Sequence, residues 1–123
     1  MFNRNEDAAC GTGTGGLAVR HCEPCRGGVP ALAPETLSHL ERQLAAGWRV
    51  VGAHHLEKRY TFPDFRGAMA FAVHVGEVAE AEGHHPSLHV SWGMTRVEIW
   101  TLAIDGLTEN DFILAARIDE VCS

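Results

Sequence analysis

The chain has no apolar run approaching the roughly 20 residues that a membrane-spanning helix needs. Its 10 Lys and Arg residues are scattered, with no basic run longer than Lys58-Arg59, and the net charge is −6 with histidines neutral. A phosphate-backbone footprint needs clustered cations, so neither nucleic acid nor membrane is expected as a partner. The opening residues, MFNRNEDAAC, lack the apolar core of a secretory signal, so a cytoplasmic address is the expectation. Cys22-Glu23-Pro24-Cys25 is a CxxC with no second CxxC, and the His85-x-x-x-His89 spacing lies far beyond the short interval that would complete a zinc set with it. It does not sit between a strand and a helix as a thioredoxin-like motif would. Neither metal nor redox chemistry is therefore expected of Cys10, Cys22, Cys25 and Cys122. Gly11 to Gly16 has no Gly-Lys-Ser/Thr after it, which excludes a phosphate loop.

What remains is one domain with an ordinary hydrophobic fraction of 46%. Residues 1–21 show no hydrophobic periodicity and read as a disordered leader; the domain spans 22–123. Pro34 to Ala46 reads as a helix with Leu37, Leu40 and Leu44 on one face. Trp48–Val51 and Leu56–Phe62 read as a hairpin with His54 and His55 at its turn. In the second strand Leu56, Lys58, Tyr60 and Phe62 share one side. Asp64 can cap a helix running to about Ala81, with Phe65, Ala68, Met69, Ala72 and Val75 or Gly76 along its buried stripe. Gly83 ends that helix. His89–Gly93 and Arg96–Ile104 read as a second strand pair, and Thr108-x-x-Asp111 as the capping box of a last helix to Val121. The order α-β-β-α-β-β-α predicts an α+β fold, an antiparallel sheet covered on one face by helices.

Chemistry concentrates in Glu80-x-x-x-His84-His85-Pro86. Imidazole can take or give a proton near neutral pH. Glu80 lies one helical turn before His84 and could orient it, while Trp92 could wall a planar heterocycle. An ion shared by His84, His85 and His89 with Glu80 or Glu82 is disfavoured, because adjacent histidines in an extended turn point apart.

Over residues 22–121 the chain resembles the pterin-4a-carbinolamine dehydratase family. The likeness is carried by Cys22-x-x-Cys25 before Gly27-Gly28, Gly47-Trp48, Tyr60-Thr61-Phe62-Pro63-Asp64-Phe65 and Glu80-x-x-x-His84-His85-Pro86. Trp92 and Gly106-Leu107-Thr108-Glu109-Asn110-Asp111-Phe112 complete it. The resemblance implies a metal-free enzyme, without cofactor, that expels water from a 4a-hydroxytetrahydropterin. It implies four strands, three helices on one face, and homodimers or homotetramers. His84 would be an acid/base, His85 an acid/base or pterin contact, and Glu80 an orienting partner. Pro86, Trp92 and Asp111 would belong to the pocket.

One position departs. The family places a histidine, or sometimes a tryptophan, ten residues after the aromatic; here Leu102 stands ten residues after Trp92. Leucine cannot exchange a proton, and losing one positioned acid/base removes roughly 10² to 10⁴ in rate. Strand alternation through Ile104 sets Glu98, Trp100, Leu102 and Ile104 on one side, so Leu102 is expected either to fill the pocket or to present an apolar patch. By resemblance to the family's divergent members associated with α-carboxysomes, the expectation is a non-enzymatic assembly factor for RuBisCO. The alternative is an active dehydratase using His84 and His85, with pterin as its substrate.

Overall fold

The computed structural model describes Leu17 and residues 32–121. Its elements are α1 (Pro34–Glu41), β1 (Arg49–Val51), β2 (His55–Thr61), α2 (Phe65–Glu82), β3 (Ser87–Ser91), β4 (Met94–Ile99) and α3 (Glu109–Val121). The expected α+β order is present. The expected leader and the Cys22–Cys25 motif lie outside the described residues, except for Leu17, which is buried in the core.

The strands form one antiparallel sheet in the order β1-β2-β4-β3. Alternation decides its two faces. Leu56, Lys58 and Tyr60 of β2, with Thr95, Val97 and Ile99 of β4, point into the core. There they meet Ala68, Phe71, Ala72, Val75 and Ala79 of α2 and Phe112, Ile113 and Ile118 of α3. The opposite face carries Glu57, Arg59, Arg96 and Glu98, and among the described residues no helix packs on it.

A buried polar hub ties α3 to the sheet. The Asp119 carboxylate accepts hydrogen bonds from Lys58 Nζ at 2.9 Å, Tyr60 Oη at 2.7 Å and Trp48 Nε1 at 2.8 Å. A buried charge is tolerated only when paired and hydrogen-bonded, and both conditions hold. Gly47 belongs to this arrangement, since a Cβ there would lie 3.0 Å from Lys58 Cε.

Three expectations need correction. The first helix ends at Glu41 rather than Ala46, and the chain reaches Trp48 through turns. Phe65 and Met69 were expected in the buried stripe of α2 and are exposed instead. That helix is apolar on two faces, so periodicity alone did not show which one meets the sheet. The last strand stops at Ile99, not Ile104. Residues 101–106 fold into a tight loop closed by Thr101 N–H donating to Gly106 O at 2.8 Å, with Asp105 at φ 51°. Strand alternation therefore does not reach Leu102.

Candidate functional site

The candidate site lies where α2 ends, β3 begins and the loop after β4 closes. Asp64 starts α2 by accepting the Gly67 N–H at 2.7 Å. Gly83 ends it at φ 67°, a left-handed cap in which glycine alone carries no Cβ penalty. The chain turns there and delivers His84, His85 and Pro86 directly into β3.

The adjacent imidazoles diverge. His84 is buried, and its Nε2 lies 2.5 Å from Asp111 Oδ1. A carboxylate accepts only, so this nitrogen carries the proton. Asp111, itself fully buried, uses Oδ2 to accept from Thr101 Oγ1 at 2.9 Å and from Thr108 N at 2.8 Å. The last of these is one half of the expected capping box. Asp111 thus fixes the start of α3, the loop after β4 and the tautomer of His84 together. His85 faces solvent, with Nε2 2.8 Å from Glu80 Oε1. Glu80, expected to orient His84, instead pairs with His85, because the Gly83 cap turns the two rings to opposite sides. The orienting carboxylate of His84 comes from 27 residues away.

Two adjoining depressions meet at His85. One, of about 250 Å³, is lined by Gly83, His84, His85, Trp100, Thr101, Leu102 and Ala103. The other, about 570 Å³, is a largely apolar groove that includes Val73, Glu80, His85, Pro86 and Leu88. Leu102 sits on the rim, 77% exposed, and does not fill the cleft. Trp100 lines the same cleft and packs against His54 and His55 with ring centroids 5.4 and 5.9 Å away. It is an aromatic wall that counting along the chain missed. Trp92, expected to be that wall, is 73% exposed at the β3–β4 turn, the opposite end of β3 from His85.

The family model for pterin 4 alpha carbinolamine dehydratase matches residues 30–121. The chain belongs to that dehydratase family. A Rubrobacter xylanophilus relative, provisionally named pterin-4-alpha-carbinolamine dehydratase, is 48% identical over 105 residues, covering 85% of this chain and 97% of its own. A Rickettsia canadensis relative with the same provisional name is 50% identical over 103 residues, covering 84% and 94%. The crystal structure of a Brucella melitensis protein described as a transcriptional coactivator/pterin dehydratase superposes with a TM-score of 0.70 at 25% identity. It covers 76% of this chain and all of that one. Of the residues expected at the site, Glu80, His85 and Pro86 line the larger depression, and His84, His85 and Leu102 line the smaller together with Trp100. Asp111 supports the smaller from behind, and Trp92 stands apart from both.

Proposed function

We propose that this chain is a pterin-4a-carbinolamine dehydratase working through His84 and His85. The observation that carries the reading is the pair of oppositely supported imidazoles on one open cleft. His84 is locked by a buried carboxylate, and His85 is exposed beside Glu80. Dehydration breaks the C4a–O bond and forms the C4a=N5 bond. The hydroxyl leaves as water once it gains a proton, and N5 loses one. His85, able to exchange with solvent, gives the proton to the departing hydroxyl. His84, held through Nε2 by Asp111, takes the N5 proton on Nδ1. Trp100 supplies a flat face for the bicyclic ring.

The enzyme acts as a homo-oligomer in this reading. Phe65, Met69 and Val73 recur every four residues and form an exposed apolar stripe on α2, which a second copy would cover.

A second reading rests on Leu102, which supplies no proton and exposes its side chain where the family has an acid/base. There the scaffold is non-enzymatic and assembles a protein client, RuBisCO, in α-carboxysome-containing cells. Carbinolamine dehydration by the wild type, His84→Ala, His85→Ala and Leu102→His separates the two. The dehydratase reading expects wild-type turnover falling about 10² to 10⁴-fold in either alanine variant. A wild type at the uncatalysed rate sinks it. Gain of activity in Leu102→His would then show a competent cleft lacking one proton carrier, as the assembly reading expects.

A further inference from the structure

Away from the cleft, the sheet face opposite the core brings Glu57 together with Glu98, 41 positions further along the chain. Glu57 of β2 and Glu98 of β4 are directly opposed partners in the strand register. Like charges directly opposite each other destabilise a sheet, so this pairing calls for a compensating cation. His55, two residues before Glu57 on the same strand, shares their face. One ligand atom from each of His55, Glu57 and Glu98 falls within 4.8 Å of the others, and all three residues are half-buried.

Neighbouring arginines already approach both carboxylates, in each case on Oε2. Arg49 and Arg59 both approach Glu57 on Oε2, at 3.2 and 3.7 Å, which leaves Oε1 turned elsewhere. Arg96 Nε is 3.4 Å from Glu98 Oε2 yet makes no hydrogen bond, and His89 Nε2 reaches Glu98 Oε1 at 3.2 Å.

A second, independent observation concerns the tautomer of His55. Asp105 Oδ1 lies 2.7 Å from His54 Nε2, and His54 Nδ1 lies 3.1 Å from His55 Nδ1. The carboxylate accepts only, so His54 carries its proton on Nε2 and accepts at Nδ1. His55 must then donate from Nδ1, which leaves a lone pair on Nε2. This carboxylate–histidine–histidine chain extends by one imidazole the carboxylate–histidine arrangement that orients metal-ligating histidines.

We propose that His55, Glu57 and Glu98 form a binding site for a zinc-type divalent cation on the sheet face opposite the core, with His54 and Asp105 orienting His55. One imidazole and two carboxylates suit a borderline transition ion. Calcium and magnesium favour all-oxygen shells, whereas the imidazole in this set suits zinc and its neighbours. An ion with bonds of about 2.0–2.1 Å sets tetrahedral ligand atoms roughly 3.4 Å apart, a contraction that side-chain rotation of the two glutamates supplies. The fourth position is left for water or a substrate atom. This site does not depend on the dehydratase reading, since none of its three ligands lines the His84–His85 cleft.

The test is a Zn²⁺ titration of the full chain against a competing chromophoric chelator. The wild type is compared with His55→Ala, Glu98→Gln, Asp105→Asn and the double variant Cys22→Ser/Cys25→Ser. Glu98→Gln is nearly isosteric, and circular dichroism confirms that each variant is folded. A site present in the wild type, retained in the double cysteine variant and lost in His55→Ala and Glu98→Gln supports the proposal. Asp105→Asn, acting only through His54, should weaken it about 10- to 100-fold. Four results overturn it: no binding by the wild type, binding lost with the cysteines, binding indifferent to His55 or Glu98, or binding indifferent to Asp105.

Discussion

Asp111→Asn should inactivate the cleft while leaving the domain folded. The substitution preserves volume but replaces one acceptor oxygen by an NH₂ donor. On the Oδ2 side stand the Thr108 N–H at 2.8 Å and the Thr101 hydroxyl at 2.9 Å. A backbone N–H cannot reverse its polarity, so the amide oxygen must take that side. The NH₂ group then faces His84 Nε2, 2.5 Å away in the wild type. Two donors cannot share that distance, so His84 moves its proton to Nδ1 and becomes an acceptor toward Asn. The charge-assisted bond is lost, costing about 1.5–3 kcal/mol of stability. The ring nitrogen needed to accept the substrate proton is now occupied. A mis-set tautomer of this kind costs about 10⁴ in turnover in Ser-His-Asp triads, and roughly 10² to 10⁴ is the expectation for a single positioned base. Dehydration kinetics and urea unfolding measure the two effects. Nitrogen-15 chemical shifts of the His84 ring read the tautomer directly, whether or not the chain turns over pterin. Turnover within about tenfold of wild type, with the His84 proton on Nδ1, would refute the assigned role of the Asp111 carboxylate.

Two further predictions concern the scaffold. Lys58→Ala removes the ammonium 2.9 Å from the buried Asp119 carboxylate and leaves the Tyr60 and Trp48 hydrogen bonds in place. Breaking one partner of a buried pair costs about 3–5 kcal/mol, to be read from urea unfolding, and a loss below about 1 kcal/mol would contradict the hub. Gly93→Ala places a Cβ at φ 75° and 3.2 Å from Phe62 O, in the turn whose carbonyl accepts the Phe62 N–H. It should lower stability by about 1–2 kcal/mol, and an unchanged thermal midpoint would remove the strain argument.

The sequence by itself determined the elements whose signals are local. Asp64 and Gly83 bracket α2, Thr108-x-x-Asp111 opens α3, and alternation places Leu56, Lys58 and Tyr60 inward. Caps and periodicities act within about one helical turn or two strand residues, so they are legible one window at a time. The His84-His85-Pro86 motif was legible for the same reason, since a helix cap delivers it. Tertiary structure decided what crosses the fold. It gave His84 to Asp111 rather than Glu80, and set Glu57 against Glu98 by inserting β4 between β2 and β3. It also stopped β4 at Ile99, left Leu102 on the rim, and chose which apolar face of α2 to bury. In each case the partners lie tens of residues apart or compete for one surface. The winner is set by how the whole core packs, which no local window of the chain contains.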